Sequence, residues 1–232
     1  MPPSTWLGHA LGMGLHRGRR KSVTAPGSLI GSTYDTCWVW ANDYNAALRL
    51  NSQRLVNLAI TFVHCADVTL IFARGTCDPG NVGVLVGPPF FQAVSGAIGS
   101  KSLHVQGDAY PASVDGYLKA DTGAGQTMAQ IVRQTRSSCP KTKIVLSGYS
   151  QAGMTVHNAA NALGGDMSHV SAAVTFGDPY SHKAVSNIEA SKVHIVCHAG
   201  DDICNQGAII LPQHLTYAID AACSASFVAS KL

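Results

Sequence analysis

The chain has 232 residues, of which only 12% are charged, and its formal net charge is +3 at pH 7. Residues 1–64 contain six Lys and Arg against two Asp, whereas residues 65–232 contain ten Lys and Arg against eleven Asp and Glu, a net charge of −1. The larger part is therefore nearly neutral, which argues against a nucleic-acid partner, and its length suffices for one domain with a substantial core.

Residues 1–64 contain no motif that predicts a structure or a function. Basic residues at positions 17–21 follow the first weakly apolar stretch instead of preceding a strong one, so there is no clear signal peptide. The apolar run over residues 55–63 is far too short to cross a bilayer, and we expect no membrane span. We interpret residues 1–64 as an unassigned N-terminal extension that is poorly ordered or arises from a faulty gene model, and residues 65–232 as the functional domain.

Strand-like and helix-like segments alternate from residue 65 onward. The predicted strands cover residues 68–72, 103–105, 143–147, 172–176 and 193–197. The predicted helices cover residues 88–98, 124–138 and 153–163, and a further helix follows residue 214. This order predicts an α/β fold with a largely parallel sheet between helices.

The most informative segment is Gly148-Tyr149-Ser150-Gln151-Ala152, between the third predicted strand and the helix after it. A serine on a tight strand-to-helix turn is typical of the nucleophile elbow of α/β-hydrolases, although a simple Gly/Ser turn would give a similar pattern. Gly148 allows the close packing that the elbow needs, whereas Ala152 replaces the second glycine of the usual G-x-S-x-G pattern. We therefore predict a small, lidless α/β-hydrolase with about five mainly parallel strands sandwiched by helices.

An acid and a histidine should follow the serine in that order on this fold. Asp201 and Asp202 lie in a loop that two cysteines bracket, and His214 follows an apolar stretch. Histidine suits the role of base because its pKa lies near neutrality. The sequence alone separates the two adjacent carboxylates poorly.

Other titratable residues have simpler structural interpretations. Asp178 follows another predicted strand and could be an alternative acid, but the simpler interpretation is that it is a turn residue before Pro179. His157 lies on the predicted elbow helix, His194 lies in a strand-like run, and His198 lies inside the acidic loop. No pair of histidines has zinc-ligand spacing with a suitable third ligand, so we expect no metal site and no cofactor.

Four segments in this order make residues 65–232 resemble the cutinase family. Residues 65–76 resemble its first core strand and oxyanion loop, residues 148–151 its elbow, residues 197–204 its acid loop and residues 214–217 its histidine loop. The resemblance implies that Ser150 is the nucleophile, Asp201 the acid and His214 the base. It favours Asp201 over Asp202 because Asp201 directly follows Gly200.

The resemblance also implies an oxyanion hole and two disulfides. Thr76 and Gln151 would supply the oxyanion hole through their backbone N–H groups and the Thr76 hydroxyl. The implied disulfides are Cys65–Cys139 and Cys197–Cys204. Three cysteines then remain, so at least one is free or pairs between molecules: Cys37, Cys77 and Cys223. Because disulfides belong to oxidising compartments, we expect a secreted, extracellular protein despite the missing signal peptide.

Two apolar segments, residues 81–87 and 209–211, would flank the nucleophile by the same resemblance, although each could equally be ordinary core. Exposed together, they would form an open apolar cleft suited to a long acyl chain or a polymer surface. We therefore predict a monomeric serine esterase that hydrolyses cutin, similar aliphatic polyesters or lipid esters through an acyl-enzyme. The alternatives are an acetylxylan esterase of similar fold and a non-catalytic secreted binding protein.

Overall fold

The computed structural model describes residues 65–120 and 122–232. The predicted N-terminal extension, with its apolar run at residues 55–63 and Cys37, lies outside the described residues, so the division of the chain at residue 64 stays a prediction. Among the helices in the described ranges, none combines the length and the apolar character needed to cross a membrane.

The described strands form one parallel sheet, as predicted. They are β1 (Val68–Ala73), β2 (Leu103–Gly107), β3 (Lys143–Tyr149), β4 (Val170–Phe176) and β5 (Val193–Val196). Their order across the sheet is β2-β1-β3-β4-β5. Every residue of β1 is buried, because a central parallel strand is covered on both faces and therefore reads as a continuous apolar run.

Helices cover both faces of the sheet. The described helices are α1 (Gly87–Ala97), α2 (Val114–Leu118), α3 (Gly123–Ser138), α4 (Gln151–Leu163) and α5 (Ala221–Ala229). Helices α1 and α5 contribute to one hydrophobic cluster with the strands, while α3 and α4 contribute to a second. The predicted sandwich of helices around a small parallel sheet is therefore confirmed.

Several boundaries differ from the predicted ones by one or two residues. Strand β3 continues to Tyr149 because Gly148 and Tyr149 pair with the end of β4, a contact outside the local pattern. Helix α4 begins at Gln151, two residues earlier than predicted. The short helix α2 was not predicted; the Ser113 side chain caps its start by accepting the N–H of Gly116 at 3.0 Å.

The parallel topology collects the predicted site residues at one edge of the sheet. Thr76 follows β1, Ser150 follows β3, and Asp201 follows β5. All of these strands run in the same direction, so their carboxyl ends meet at that edge, where α/β sheets bind ligands. The Cys65–Cys139 disulfide instead joins the segments that precede β1 and β3, near the opposite end of the sheet, where the strands begin.

Candidate active site

The serine lies on a sharp turn between β3 and α4. Ser150 has φ 60° and ψ −126°, an uncommon conformation for a residue other than glycine. Its backbone N–H donates to the carbonyl of Phe176 at 2.8 Å, which fastens the turn to β4. A Cβ on Gly148 would lie only 2.4 Å from the carbonyl oxygen of Ala152, so glycine is needed there. The methyl group of Ala152 itself is fully buried in the core.

A continuous hydrogen-bond path starts at the serine hydroxyl. The distance from Ser150 Oγ to His214 Nε2 is 2.8 Å, and the distance from His214 Nδ1 to Asp201 Oδ2 is also 2.8 Å. The exposed fractions of Ser150, His214 and Asp201 are 5%, 1% and 0%. Because a carboxylate can only accept, we assign the ring proton to Nδ1, which leaves Nε2 to accept the serine hydroxyl.

Asp201 is fixed by hydrogen bonds to both of its oxygens. The N–H of Ile203 donates to Oδ1 at 3.0 Å, and the hydroxyl of Tyr217 donates to Oδ2 at 2.6 Å. The neighbouring Asp202 has a different hydrogen-bond partner, since its Oδ2 accepts the N–H of Ile209 at 2.9 Å. The structure thus brings Asp201, and not Asp202, to His214.

His214 is enclosed by aromatic and backbone groups. The Tyr149 hydroxyl donates to its carbonyl oxygen at 2.7 Å, and the two rings stack with centroids 5.2 Å apart. A Cβ on Gly177, which has φ 57°, would lie 2.8 Å from His214 Cε1, so a side chain there would displace the ring. Burial lowers the pKa of His214 below its ordinary value, and the hydrogen bond to Asp201 opposes that shift only in part.

Tyr217 is a site residue whose role the sequence reasoning did not assign. Its hydroxyl donates to Asp201 and accepts the backbone N–H of His198 at 2.9 Å. The His198 ring stacks on Tyr217 with centroids 4.0 Å apart, and its Nε2 lies 2.7 Å from Asp220 Oδ2. His198 therefore supports the acid loop from outside. The sequence signal for this role is weak: Tyr217 lies three residues after His214, but nothing in the sequence pattern places it next to Asp201.

The predicted oxyanion loop reaches the start of α4. Thr76 Oγ1 lies 2.9 Å from the Gln151 side-chain amide. We assign this amide from its partners: its nitrogen donates to Thr76 Oγ1 and to the Ser113 carbonyl, and its oxygen accepts the N–H of Tyr117 at 2.9 Å. The Thr76 hydroxyl proton then remains able to donate. Helix α2 and its cap, missed in the sequence, thus position Gln151.

The backbone of Gln151 provides a second donor. As the first residue of α4, it carries an N–H that has no acceptor within the helix. The positive end of the helix dipole adds to its attraction for negative charge. Thr76 therefore lies against the Gln151 side chain at the start of α4, directly after Ser150 in the chain, and both residues carry donors for an oxygen that gains charge.

The rival titratable residues lie elsewhere. Asp178 is buried and pairs with His157, whose Nε2 lies 3.1 Å from Asp178 Oδ2. Its other oxygen accepts the N–H of Tyr180 at 2.8 Å. This pair ties α4 to the end of β4, and the hydrogen bonds of its two side chains go to residues other than His214. His194 stacks on Phe227 with centroids 5.0 Å apart.

The apolar loops divide between core and surface. In residues 81–87, Val82 and Val86 belong to the core, while Leu85 is 40% exposed. In residues 209–211, Ile209 and Ile210 are 51% and 38% exposed. The core interpretation is therefore right for part of the first loop, and the exposed interpretation is right for Leu85 and the second loop.

Both disulfides implied by the resemblance are present, and they are Cys65–Cys139 and Cys197–Cys204. Cys77 is also disulfide-bonded, while Cys223 is an exposed free thiol. Within residues 65–120 and 122–232, no group of three or more His, Cys, Asp or Glu side chains is arranged to hold a metal ion.

The parallel sheet and the turn that carries Ser150 between β3 and α4 define an α/β-hydrolase. A sequence model described as Cutinase matches residues 64–232, and the chain belongs to the cutinase family.

Individual relatives agree with this assignment. A cutinase from Hypocrea jecorina is 56% identical over 165 residues, which cover 71% of this chain and 66% of the relative. The chain thus spans just under two thirds of that relative's length. The structure of Trichoderma reesei cutinase in complex with a C11Y4 phosphonate inhibitor is 48% identical, has a TM-score of 0.77, and is matched over 85% of this chain and 89% of its own.

The catalytic core domain of acetyl xylan esterase from Trichoderma reesei is more distant. It is 23% identical, has a TM-score of 0.55, and is matched over 73% of this chain and all of its own, 100%. This likeness is one of fold alone.

Proposed function

We propose that the protein is a serine esterase that hydrolyses the carboxylic ester bonds of cutin and similar aliphatic polyesters. The observation that carries the proposal is the buried hydrogen-bond path from Ser150 through His214 to Asp201. In this proposal Ser150 is the nucleophile, His214 the general base and Asp201 the acid that orients the base. The substrate class is supported by membership of the cutinase family.

The first half-reaction transfers the acyl group to the enzyme. Ser150 Oγ attacks the ester carbonyl carbon while its proton passes to His214 Nε2. Asp201, held by Tyr217 and Ile203, keeps the ring oriented and stabilises the imidazolium. The imidazolium then gives its proton to the alkoxy oxygen, the carbon–oxygen bond breaks, and the alcohol leaves.

The carbonyl oxygen becomes negatively charged in the tetrahedral intermediate. The Gln151 backbone N–H at the start of α4 and the Thr76 hydroxyl supply donors for this charge. Losing one such donor typically raises the barrier by about 3 kcal/mol. The contact between Thr76 and the Gln151 side chain fixes the hydroxyl in advance, so no rearrangement is needed as the charge develops.

The second half-reaction releases the acid. A water molecule gives a proton to His214 Nε2 as its oxygen attacks the acyl-enzyme carbonyl, and a second tetrahedral intermediate forms. His214 returns the proton to Ser150 Oγ as the acyl–serine bond breaks. The carboxylic acid leaves, and the starting hydrogen-bond path is restored.

The exposed apolar side chains favour a long or polymeric acyl substrate over a small one. Leu85 lies on the loop after Thr76, and Ile209 and Ile210 lie on the loop after the acid. Exposed apolar surface of this kind suits contact with an aliphatic chain. An acetylxylan esterase would need polar, sugar-facing loops instead, and a non-catalytic protein would not need all three side chains of the hydrogen-bond path.

The test is hydrolysis of p-nitrophenyl esters from acetate to palmitate, together with release of monomers from purified cutin. We expect activity beyond the acetate ester and release of hydroxy acids from cutin. The Ser150→Ala variant is the matched control for spontaneous hydrolysis. Activity confined to acetyl esters, with acetate released from acetylated xylan and no product from cutin, would overturn the substrate proposal.

The proposal extends to an extracellular, monomeric protein. Its disulfides support an oxidising compartment. Detection of the native protein in culture medium and a monomer mass by light scattering would support both points. Retention of the protein inside cells, or a dimer mass, would contradict them.

A further inference from the structure

A cavity of about 320 Å³ lies at the opposite end of the sheet from Ser150. Its walls come from the segment before β3, the first residues of β3 and β4, and Lys192 just before β5. The seven residues of β3, at about 3.3 Å per residue, place it roughly 20 Å from the elbow. A ligand bound there would leave the ester-binding edge unobstructed.

Basic side chains dominate this cavity, which we call the basic cavity. No acidic residue lines it. Its lining contains five of the ten Lys and Arg in residues 65–232 and one histidine: Arg136, Lys141, Lys143, Lys192, Lys231 and His169. Because the same stretch of chain has a net charge of −1, this concentration is local and does not reflect a generally basic surface.

The charge of the basic cavity is not neutralised within the described residues. None of its five Lys and Arg forms an ion pair there, whereas Lys119 pairs with Asp115 and Arg133 with Asp166. A position in the last turn of α3 explains Arg136 through the helix dipole, but it does not explain the four lysines. Lys231 lies over the Phe227 ring, 5.1 Å from its centroid, a contact that leaves its positive charge in place. Cations without an acidic partner around a concavity attract an anion.

Two acids that lie close to the basic cavity, one in the fold and one in the sequence, have other hydrogen-bond partners. Asp67, just before β1, accepts hydrogen bonds from the backbone N–H and the hydroxyl of Ser102. Glu189 accepts the hydroxyl of Ser191. Neither carboxylate lines the basic cavity. Residues 1–64 are no better match, since they contain six Lys and Arg against two Asp.

We propose that the basic cavity binds an acidic polysaccharide through the carboxylates of its sugar units. Four of the five cations are lysines, which act as point charges and suit repeated anionic groups better than bidentate recognition of one group. Its lining contains no Phe, Tyr or Trp, the platforms on which single-stranded nucleic acids stack.

Such binding would hold the enzyme on an anionic polymer while its ester-binding edge faces away. The basic cavity lies at the amino ends of β3 and β4, whereas Ser150 lies at the carboxyl end of β3. The polysaccharide therefore does not compete with the ester substrate, and its binding is independent of ester hydrolysis.

The test is fluorescence anisotropy of the full chain with a fluorescein-labelled oligogalacturonate at low and at physiological salt. The variant Lys141→Gln/Lys143→Gln removes two charges from the basic cavity. The control Lys101→Gln/Lys183→Gln removes two charges from exposed lysines outside its lining. We expect affinity to fall by at least about tenfold in the first variant and by less than about twofold in the control. Both variants should hydrolyse p-nitrophenyl butyrate like the wild type.

Four results would overturn the proposal. The first is the absence of binding at low salt, and the second is an equal loss of affinity in the two variants. The third is tighter binding of a single-stranded DNA or of phosphatidylserine vesicles than of the oligogalacturonate. The fourth is binding of monomeric galacturonate or inorganic phosphate that is as tight as binding of the oligomer. Weaker binding at higher salt, together with loss only in the first variant, supports it.

Discussion

The ionisation of His214 sets the acid limit of the proposed reaction. Burial lowers its pKa below the ordinary histidine value of about 6.5, and Asp201 opposes this shift only in part. Only the neutral ring can take the serine proton, so protonation at low pH removes the base. We expect kcat/KM to fall as the pH decreases, with a midpoint below about 6.5.

The measurement is the pH dependence of butyrate release from p-nitrophenyl butyrate, followed by chromatography. The Ser150→Ala variant supplies the rate of spontaneous hydrolysis at each pH. A midpoint at or above the ordinary histidine value would contradict the assigned environment of His214.

Two adjacent carboxylates give the sharpest comparison between single residues. Asp201→Asn should lower kcat by about 10⁴-fold, because the amide favours the wrong tautomer of His214 and does not stabilise the imidazolium. Asp202→Asn should lower kcat by less than about tenfold, since an amide oxygen can still accept the N–H of Ile209. Steady-state kinetics of the two variants provide the test, and the reverse ranking would move the acid to Asp202.

The sequence predicts some of these residues better than others. Ser150 and His214 lie in contiguous sequence motifs, which can be recognised without knowledge of the fold. Asp201 and Asp202 share the same local context; the family resemblance favours Asp201, and the fold of the disulfide loop places that carboxylate against His214. The role of Tyr217 depends on its proximity to both Asp201 and His198, which a linear pattern does not express.

At the level of elements, the contact between β3 and α4 tests how the elbow accommodates Ala152. The methyl group is buried in the core, and Gly148 leaves room for the backbone of Ala152. Ala152→Gly should change kcat by less than about tenfold, or ~1.4 kcal/mol of barrier. It should destabilise the protein by about 1 kcal/mol, because glycine is a poor helix residue and the buried methyl is lost.

Steady-state kinetics and urea unfolding of Ala152→Gly measure the two effects. A gain in kcat well above tenfold would show that the alanine strains the elbow of this chain.

The Cys197–Cys204 disulfide stiffens the loop that carries Asp201. Closing a loop of seven residues should stabilise the fold by roughly 2–3 kcal/mol on a chain-entropy model. We expect Cys197→Ser/Cys204→Ser to lower kcat even where the protein remains folded, because small displacements of Asp201 weaken its support of His214.

The matched control is Cys65→Ser/Cys139→Ser, which removes a disulfide near the other edge of the sheet. It should lose stability without a comparable loss of kcat. Kinetics and thermal unfolding of both variants, at a temperature where each is folded, make the comparison. Full activity without the Cys197–Cys204 bond would refute its role.

The predictable elements are those with a strong local period. The strands and long helices have apolar patterns that show in the sequence, whereas α2 has only five residues and no buried member. Its position depends on the Ser113 cap and on contacts with Gln151 from a distant part of the chain. Short helices of this kind are specified by tertiary contacts more than by propensity.

At the scale of the whole molecule, the proposed catalytic residues and the basic cavity lie at opposite ends of the parallel sheet. Carboxyl strand ends bring together Thr76, Ser150 and Asp201, while the amino ends collect the basic cavity. The basic residues of that cavity are spread between positions 136 and 231. Arg136, Lys141 and Lys143 are close in the sequence, but Lys192 and Lys231 join them only in the folded chain, whereas the motifs around the serine and the histidine are contiguous.

The most direct test of the central claim is the rate of p-nitrophenyl butyrate hydrolysis by Ser150→Ala relative to the wild type. Ser150 is buried at the elbow and donates its hydroxyl to His214, so removing its oxygen deletes the nucleophile with little change in packing. Circular dichroism should show that the variant is folded like the wild type. We predict a loss of about 10⁴-fold or more in kcat. A folded Ser150→Ala variant that keeps more than about a tenth of the wild-type rate would contradict the assignment of Ser150 as the nucleophile.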